Sequence, residues 1–311
     1  MNKNLIKVGI CFHCFLLSCQ PKQRTEIIST IDSTLQVNAT SILEEKLSEI
    51  NAQSGQVIVM EVQSGQIKAL VGLTKKDSTN YQSCENFSVW QSTGLMHPIS
   101  LLAALETGKV KLSDKVDTGN GIYQIHGIEL KDHNWHRGGY GELTVQEGLA
   151  VGSNIATYKT MEKAFGDNPQ TFFDLLANMS YGKPDSITGI ANLQPAHIVT
   201  PKDNNWTKTA FVWSSIGYNQ HVSPIQILTF YNAIANNGKM IQPQLYKDSV
   251  VVINPQIASR ASIDSLKKAL VFNVTDGLGQ PAKSDMITVA GQQGTIVVST
   301  DNGNTVYSVE F

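Results

Sequence analysis

A short turn of small residues directly before an apolar helix holds the first groups that could perform chemistry. Ser92, Thr93 and Gly94 precede an apolar run that is closed by Gly108. Serine enzymes often hold their nucleophile at a strand-to-helix turn of this kind. A hydroxyl there needs a base beside it. Histidine titrates near neutral pH, so His97 is the candidate base.

A second candidate group lies further along the chain, in a segment rich in histidine. It contains His126, Asp132, His133 and His136, and imidazole is a common zinc ligand. No further cysteine or carboxylate is spaced to complete a zinc site. We therefore interpret the segment as a polar loop beside a cleft and expect no metal and no cofactor.

The N-terminus predicts export from the cytoplasm. A charged start is followed by an apolar run from Val8 to Leu17, which has the length of a signal-peptide core and is too short to span a bilayer. The run ends in "LLSC", which resembles a bacterial lipobox. Residues 1–19 are thus a predicted lipoprotein signal that is cut before Cys19, and the lipidated Cys19 holds the protein at a membrane, facing outward. The alternative is an ordinary export signal with a chance cysteine.

Composition and cysteine usage exclude several classes of protein. The chain has 311 residues, is 41% hydrophobic and carries a formal net charge of −2 without a basic cluster, so nucleic acid is not an expected partner. Cys11 and Cys14 would leave with the signal. Cys84 then remains alone, which excludes a disulfide framework, and no histidine is spaced to make it a nucleophile.

Hydrophobic periodicity predicts the elements that position these groups. A polar tether is expected over residues 20–38, followed by one domain over 39–311. Residues 39–54 show helical spacing, two β-branched runs around "QSGQ" predict a hairpin, and "VGSN" separates two helices. Further helices are predicted over 223–238 and 262–277, and strands over 286–300 and 304–311. Strands from both ends of the chain, joined in one antiparallel sheet beside a helical subdomain, define an α+β fold.

Several segments together resemble the transpeptidase domain of class B penicillin-binding proteins, which have a β-lactamase-like fold. They are "GQVIVMEVQSGQIKALVG", "HPISLLAALETGKVKLSDKVDTGNG", "HRGGYGELTVQEGLAVGSN", "SSIGYNQHVSPIQILTFYNAIANNGKMIQPQL" and "ITVAGQQGTI". The resemblance covers roughly residues 52–311. It implies three motifs: S-x-x-K with the nucleophile and its base, S-x-N as a proton relay, and K-T-G to align the peptide substrate.

The reactive members of all three motifs are replaced in this chain. Matched on Pro98, the serine position is Gly94 and the lysine position is His97. The second motif is Gly152-Ser153-Asn154 and the third is Gln292-Gln293-Gly294. The separations, 152 − 94 = 58 and 292 − 152 = 140, suit the family. Loss of the nucleophile alone costs on the order of 10⁶-fold in rate.

No neighbouring hydroxyl is expected to substitute for the lost serine. Ser92 and Thr93 lie one or two residues early, and each residue turns a helix by about 100°. Ser265 and Lys268 form an S-x-x-K pattern, but in a surface-like helix. Without a serine beside it, His97 could at most activate water.

What the resemblance leaves is a binding cleft. It places the backbone N–H groups of Gly94 and Thr295 at the family's oxyanion hole. Asn154, Gln292 and Gln293 keep side chains that donate hydrogen bonds, so these three residues and Thr295 are the predicted binding residues. The loss of lysine at position 292 removes a positive charge that would attract a peptide carboxylate.

The two ends of the chain depart from the family pattern. Little more than the tether precedes the first hairpin, where the family usually has a pedestal domain. The family's last strands and helix are expected beyond Phe311, so we expect truncated C-terminal strands and an unpaired sheet edge.

The sequence therefore predicts a lipid-anchored, inactive relative of the D,D-transpeptidases in the bacterial cell envelope. Its expected partners are peptidoglycan stem peptides or proteins of cell-wall synthesis. The alternative is an active peptidoglycan D,D-transpeptidase or carboxypeptidase that uses a non-standard residue set. A third interpretation is a decayed gene product without function.

Overall fold

A computed structural model describes residues 28–85, 87, 93–301 and 304–311. The predicted signal segment with Cys19, and Ser92 of the turn, lie outside these residues. The helices are α1 Ser33–Glu49, α2 Met96–Glu106, α3 Val145–Ala150, α4 Asn154–Phe165, α5 Gln170–Asn178, α6 Ala210–Ser215, α7 Pro224–Ala235 and α8 Arg260–Asp276. The strands are β1 Ser54–Met60, β2 Ile67–Lys75, β3 Tyr81–Ser83, β4 Lys115–Asp117, β5 Ile122–Ile125, β6 Ile128–Lys131, β7 Glu142–Thr144, β8 His197–Ile198, β9 Gln220–His221, β10 Met240–Ile241, β11 Val252–Asn254, β12 Gly294–Asp301 and β13 Asn304–Glu310.

Helix α1 begins six residues earlier than the sequence predicted. Asp32 accepts hydrogen bonds from the backbone N–H groups of Thr34 and Leu35 and so caps the helix. The Thr30 N–H also donates to the Leu245 carbonyl at 2.9 Å. The predicted tether over 20–38 is therefore wrong for its second half, because a capping aspartate and a long-range backbone bond order the chain from about residue 29.

Local signals define the helices that build the site. Gly108, at φ 71°, follows the C-terminal end of α2. A capping box of Thr144 and Glu147 starts α3, and a second one, in which Ser223 precedes Pro224, starts α7. These helices, including the two separated by "VGSN", lie where the sequence predicted them.

Two separate antiparallel pieces replace the single sheet expected from the chain ends. Strands β1, β2 and β3 form one sheet in that order, and β12 pairs with β13. No strand of the described residues joins the edge of β1 to β13. Residues 286–293 were predicted as the start of a strand, but they are irregular and β12 begins only at Gly294. The α+β class itself is confirmed.

The main core lies between the central helices. Leu102 of α2, Met161 of α4, Phe230 of α7 and Leu266 of α8 are all essentially inaccessible to solvent. A smaller cluster around Ile67 and its neighbours joins β2 to the N-terminal end of α7. The helical core thus fixes the N-termini of α2 and α4, which carry the first and second motifs.

Candidate functional site

The turn before α2 is held from two sides by its neighbours. The Thr93 N–H donates to the Gly217 carbonyl at 3.3 Å. The Tyr231 hydroxyl of α7 donates to the Leu95 carbonyl at 2.9 Å. These bonds fix the backbone at Gly94, the position where the sequence predicted a missing nucleophile.

Gly94 lies against the backbone of the third motif. A Cβ atom placed on Gly94 would stand 2.7 Å from the Thr295 nitrogen and 2.8 Å from the Gly294 Cα, closer than such atoms approach. Conversely, a Cβ on Gly294 would meet the Gly94 carbonyl carbon at 2.5 Å. The two glycines therefore permit a backbone contact that a serine at position 94 would exclude.

His97 is buried and electrically neutral. Its side chain lies in the helical core with 7% of the residue exposed. Burial lowers the pKa of His97 to about 4, and a hydrogen bond with the Asn154 side chain opposes this only in part. A group with this pKa and this exposure is a poor base for activating water. The hydrogen bond between His97 and Asn154 nevertheless brings the first and second motifs together.

The second motif serves as the N-terminus of α4. Gly152 has φ 61° and faces open space. The Ser153 hydroxyl accepts from the Ala156 N–H at 2.9 Å and donates to Asp132 Oδ2 at 2.8 Å. The Asn154 amide donates to the Lys131 carbonyl at 2.9 Å. Ser153 is fully buried, so its hydroxyl holds the helix and is not a free nucleophile.

The first residue of the third motif is buried in the protein. Gln292 is 2% exposed, and its amide donates to the Gln293 carbonyl at 3.0 Å. The Asn273 amide of α8 donates to Gln293 Oε1 at 2.8 Å. The Gln292 side chain is buried and its amide has hydrogen-bond partners, so the ligand-binding function of Gln292 stays a prediction that requires this side chain to move. Thr295 is exposed on β12.

The histidine-rich segment is organised around Asp132. The Asp132 carboxylate accepts from Ser153 and from the Ile155 N–H at 3.0 Å, and burial raises its pKa. His133 contacts the Tyr140 hydroxyl at 2.7 Å, and His136 stacks edge-on against a tryptophan. Within the part of the chain that the structure describes, no three His, Cys, Asp or Glu side chains are grouped as metal ligands.

The remaining candidates lie apart from this site. Ser265 and Lys268 are in α8, where the neighbouring Lys267 amine bonds to the Ala235 carbonyl and to Asn237. Cys84 is a half-buried free thiol.

One site residue had no sequence signal. Glu310 Oε2, from β13, accepts from the Gly94 N–H at 2.7 Å and from the Thr93 hydroxyl at 2.8 Å. The contact joins residues 216 positions apart, so neither periodicity nor motif spacing could reveal it. The Glu310 carboxylate thus accepts a hydrogen bond from the Gly94 N–H, the group that the resemblance assigned to an oxyanion hole.

Comparison with known families agrees with this arrangement of helices, turn and strands. The family model described as the penicillin-binding protein transpeptidase domain matches residues 55–310. The chain belongs to the penicillin-binding protein transpeptidase family. The first motif lies at the N-terminus of α2 and the second at the N-terminus of α4.

Curated relatives of this transpeptidase-family chain are distant in sequence. The probable peptidoglycan D,D-transpeptidase PbpC of Pseudomonas aeruginosa is 26% identical over 298 residues, covering 91% of this chain and 50% of that protein. The probable peptidoglycan D,D-transpeptidase PenA of Neisseria flavescens is 24% identical, covering 88% and 68%. The chain thus spans about half the length of PbpC.

Solved structures share the fold. The transpeptidase domain of Burkholderia pseudomallei penicillin-binding protein 3 superposes with a TM-score of 0.76 at 22% identity, covering 91% of this chain and 82% of that one. A Burkholderia ambifaria peptidoglycan glycosyltransferase gives 0.73 at 23% identity, covering 86% and 81%. In the described part of this chain, no helix combines the length and apolar character needed to cross a membrane.

Proposed function

We propose that this protein is a non-catalytic member of its family that acts in peptidoglycan synthesis by binding. Its partner is a peptidoglycan stem peptide or another protein of cell-wall synthesis. PbpC and PenA are both named as probable peptidoglycan D,D-transpeptidases, which supports a function in peptidoglycan synthesis. Its place is the cell envelope outside the cytoplasm, with the lipidated Cys19 as anchor.

The observation that carries the proposal is the contact between Gly94 and the third motif. Gly94 offers no atom that could attack a carbonyl. The backbone of Gly294 and Thr295 fills the space where a Cβ would lie. Covalent catalysis needs a nucleophile with an open approach to the substrate, and neither exists at this position.

An active enzyme remains the second candidate because one contact resembles a nucleophile and its base. The Thr93 hydroxyl donates to the Glu310 carboxylate at 2.8 Å. Two facts weigh against this pair. Thr93 is 2% exposed, and its oxygen already accepts from the Leu95 N–H at 3.0 Å.

Covalent labelling of the full chain with a fluorescent penicillin separates the two candidates. We expect no adduct on the natural protein, on Thr93→Val, or on the double variant Gly94→Ser, His97→Lys, in which the added Cβ has no room. Gel fluorescence and intact mass are the readouts, and a known penicillin-binding protein in the same reaction controls the reagent.

A stable adduct on the natural chain would overturn the proposal. Peptide mapping would then name the residue, and loss of the adduct in Thr93→Val would assign the threonine. For the binding function, we expect a peptide ending in D-Ala-D-Ala to bind measurably and its C-terminal amide to bind more weakly. Absence of binding to that peptide, together with failure to retain any cell-wall synthesis protein in a pull-down, would refute the function.

A further inference from the structure

The Glu310 carboxylate closes a network at the N-terminus of α2. It accepts from the Gly94 N–H at 2.7 Å and from the Thr93 hydroxyl at 2.8 Å, while the Thr93 oxygen accepts from the Leu95 N–H at 3.0 Å. Hydrogen bonds to an ionised group are about twice as strong as neutral ones. A carboxylate supplied by the chain itself therefore fills a set of donors suited to an anion.

The Glu310 carboxylate is partly buried. Burial raises the pKa of Glu310, and the bonds from Thr93 and Gly94 oppose that rise. Burial also raises the pKa of Tyr231 and of Tyr181, and the negative charge of Glu310 raises both further. Glu310 is thus a half-buried side chain that bonds to the turn and lies close enough to two tyrosines to affect their pKa values.

The strands that carry Glu310 lie at the periphery of the fold, with Ile296 of β12 as their buried apolar side chain among the described residues. We name β12 and β13 together the C-terminal strand pair. Besides each other, these strands make only marginal contact with any helix or strand that the structure describes. Tyr307 and Val309, which point away from Glu310 along β13, are 59% and 73% exposed. The Tyr218 hydroxyl reaches the Val297 N–H only at 3.4 Å.

The close contact at Gly94 depends on where the strand pair lies. Gly294 and Thr295 are the first residues of β12, and Gly294 is paired with Glu310 across the ladder. The contact of the strand pair with the turn and the bonds of Glu310 therefore form at the same end of the ladder. Breaking the Glu310 bonds frees the end of the pair that covers the turn.

We propose that Glu310 is an internal latch. Its carboxylate holds the C-terminal strand pair closed over the turn and occupies the donors of Thr93 and Gly94, so the cleft opens only when those bonds break. A ligand carboxylate competes with Glu310 for the same donors. The identity of that ligand as a stem peptide rests on the proposed function, whereas the latch itself does not.

Amide hydrogen exchange on the full chain, without ligand, tests the latch. Glu310→Ala and Thr93→Val should each speed exchange at residues 93–95 and 294–310 by about tenfold or more, with the conservative Glu310→Gln in between. Exchange in α4 and α7 should stay unchanged, which separates local opening from global destabilisation. Val309→Ala, on the outer face of the same strand, and Thr305→Val are the matched controls.

Unchanged exchange in both Glu310→Ala and Thr93→Val would overturn the latch, and so would equal acceleration in Val309→Ala. The second measurement titrates a peptide ending in D-Ala-D-Ala. Glu310→Ala should bind it about tenfold more tightly than the natural chain, since the competing carboxylate is gone. Faster exchange without tighter binding would refute the proposal that the peptide carboxylate competes with Glu310 for the same donors. Absence of binding to the natural chain and to every variant would count against the proposed function, while the exchange result would still decide the latch.

Discussion

At the scale of single residues, His97 shows how far this site has moved from acid–base chemistry. Burial removes solvent from the His97 side chain and lowers its pKa, whereas the hydrogen bond with Asn154 raises it. Burial is the larger effect, so the pKa is about 4. Near neutral pH it is therefore a neutral core residue. The same position in the family pattern holds a lysine, whose charge could not be buried there without a partner.

This burial predicts a pH dependence of stability. The unfolded chain binds a proton at His97 below about pH 6.5, whereas the folded chain binds it only near pH 4. The contribution of His97 is therefore fully present above pH 6.5 and is lost as the pH falls toward 4. Protonation of the unfolded chain at a higher pH than the folded chain corresponds to about 3 kcal/mol in the free energy of unfolding. Urea unfolding at pH 7, 5.5 and 4 measures it.

His97→Gln is the control because it stays neutral throughout. Burial raises the pKa of Asp132 and of Glu310, so these carboxyls act in the opposite direction, but they do so equally in both chains. The stability of the natural chain relative to His97→Gln should therefore fall by about 3 kcal/mol between pH 7 and 4. A constant difference across that range would show that His97 is not buried neutral.

At the scale of elements, Ser153 and Asp132 organise the N-terminus of α4, where the second motif lies. Ser153 caps the helix and Asp132 accepts from both Ser153 and the Ile155 N–H. Asp132 is 1% exposed, so each lost donor leaves buried charge less compensated. The middle residue of the motif thus has a structural function.

We expect Ser153→Ala to lower the free energy of unfolding by about 2 kcal/mol. The loss combines a helix cap, worth about 1 kcal/mol, with one donor to a buried carboxylate. Ser265→Ala, in the middle of α8, is the matched control and should cost under about 0.5 kcal/mol. A double-mutant cycle with Asp132→Asn should show coupling between the two residues. Equal costs for Ser153→Ala and Ser265→Ala would contradict the capping function.

The elements themselves were largely predictable from sequence, whereas their closing contacts were not. Capping residues at Thr144, Ser153 and Ser223 mark helix starts locally, so the pattern located those helices. The start of β12 was misplaced because residues 286–290 are mostly apolar, as in a strand, but pair with no strand that the structure describes. Strand pairing is decided by distant segments, which local periodicity does not report.

At the scale of the whole molecule, local sequence patterns likewise do not report the long-range contacts of the site. The motifs predicted that Gly94, Asn154 and Gln292 line one cleft, and the family match agrees with the motifs. The burial of Gln292 and the reach of Glu310 to Gly94 depend on how the chain ends pack against the helical core. Such contacts arise from three-dimensional packing and are invisible in the order of residues.

The proposed anchor also concerns the whole molecule, because it limits where the domain can lie. Ile28, whose carbonyl accepts from the Lys247 N–H at 2.8 Å, lies nine positions after Cys19. Nine extended residues reach about 30 Å, so lipidation would keep this side of the domain within about that distance of the bilayer.

We expect a clickable fatty-acid probe to label the protein in bacterial cells. Cys19→Ala should abolish the label, while Cys84→Ala, at the free thiol that remains in the domain, should retain it. Label that persists in Cys19→Ala would refute the anchor. Loss of the label in Cys84→Ala would instead indicate that Cys84, within the domain, is the acylated residue.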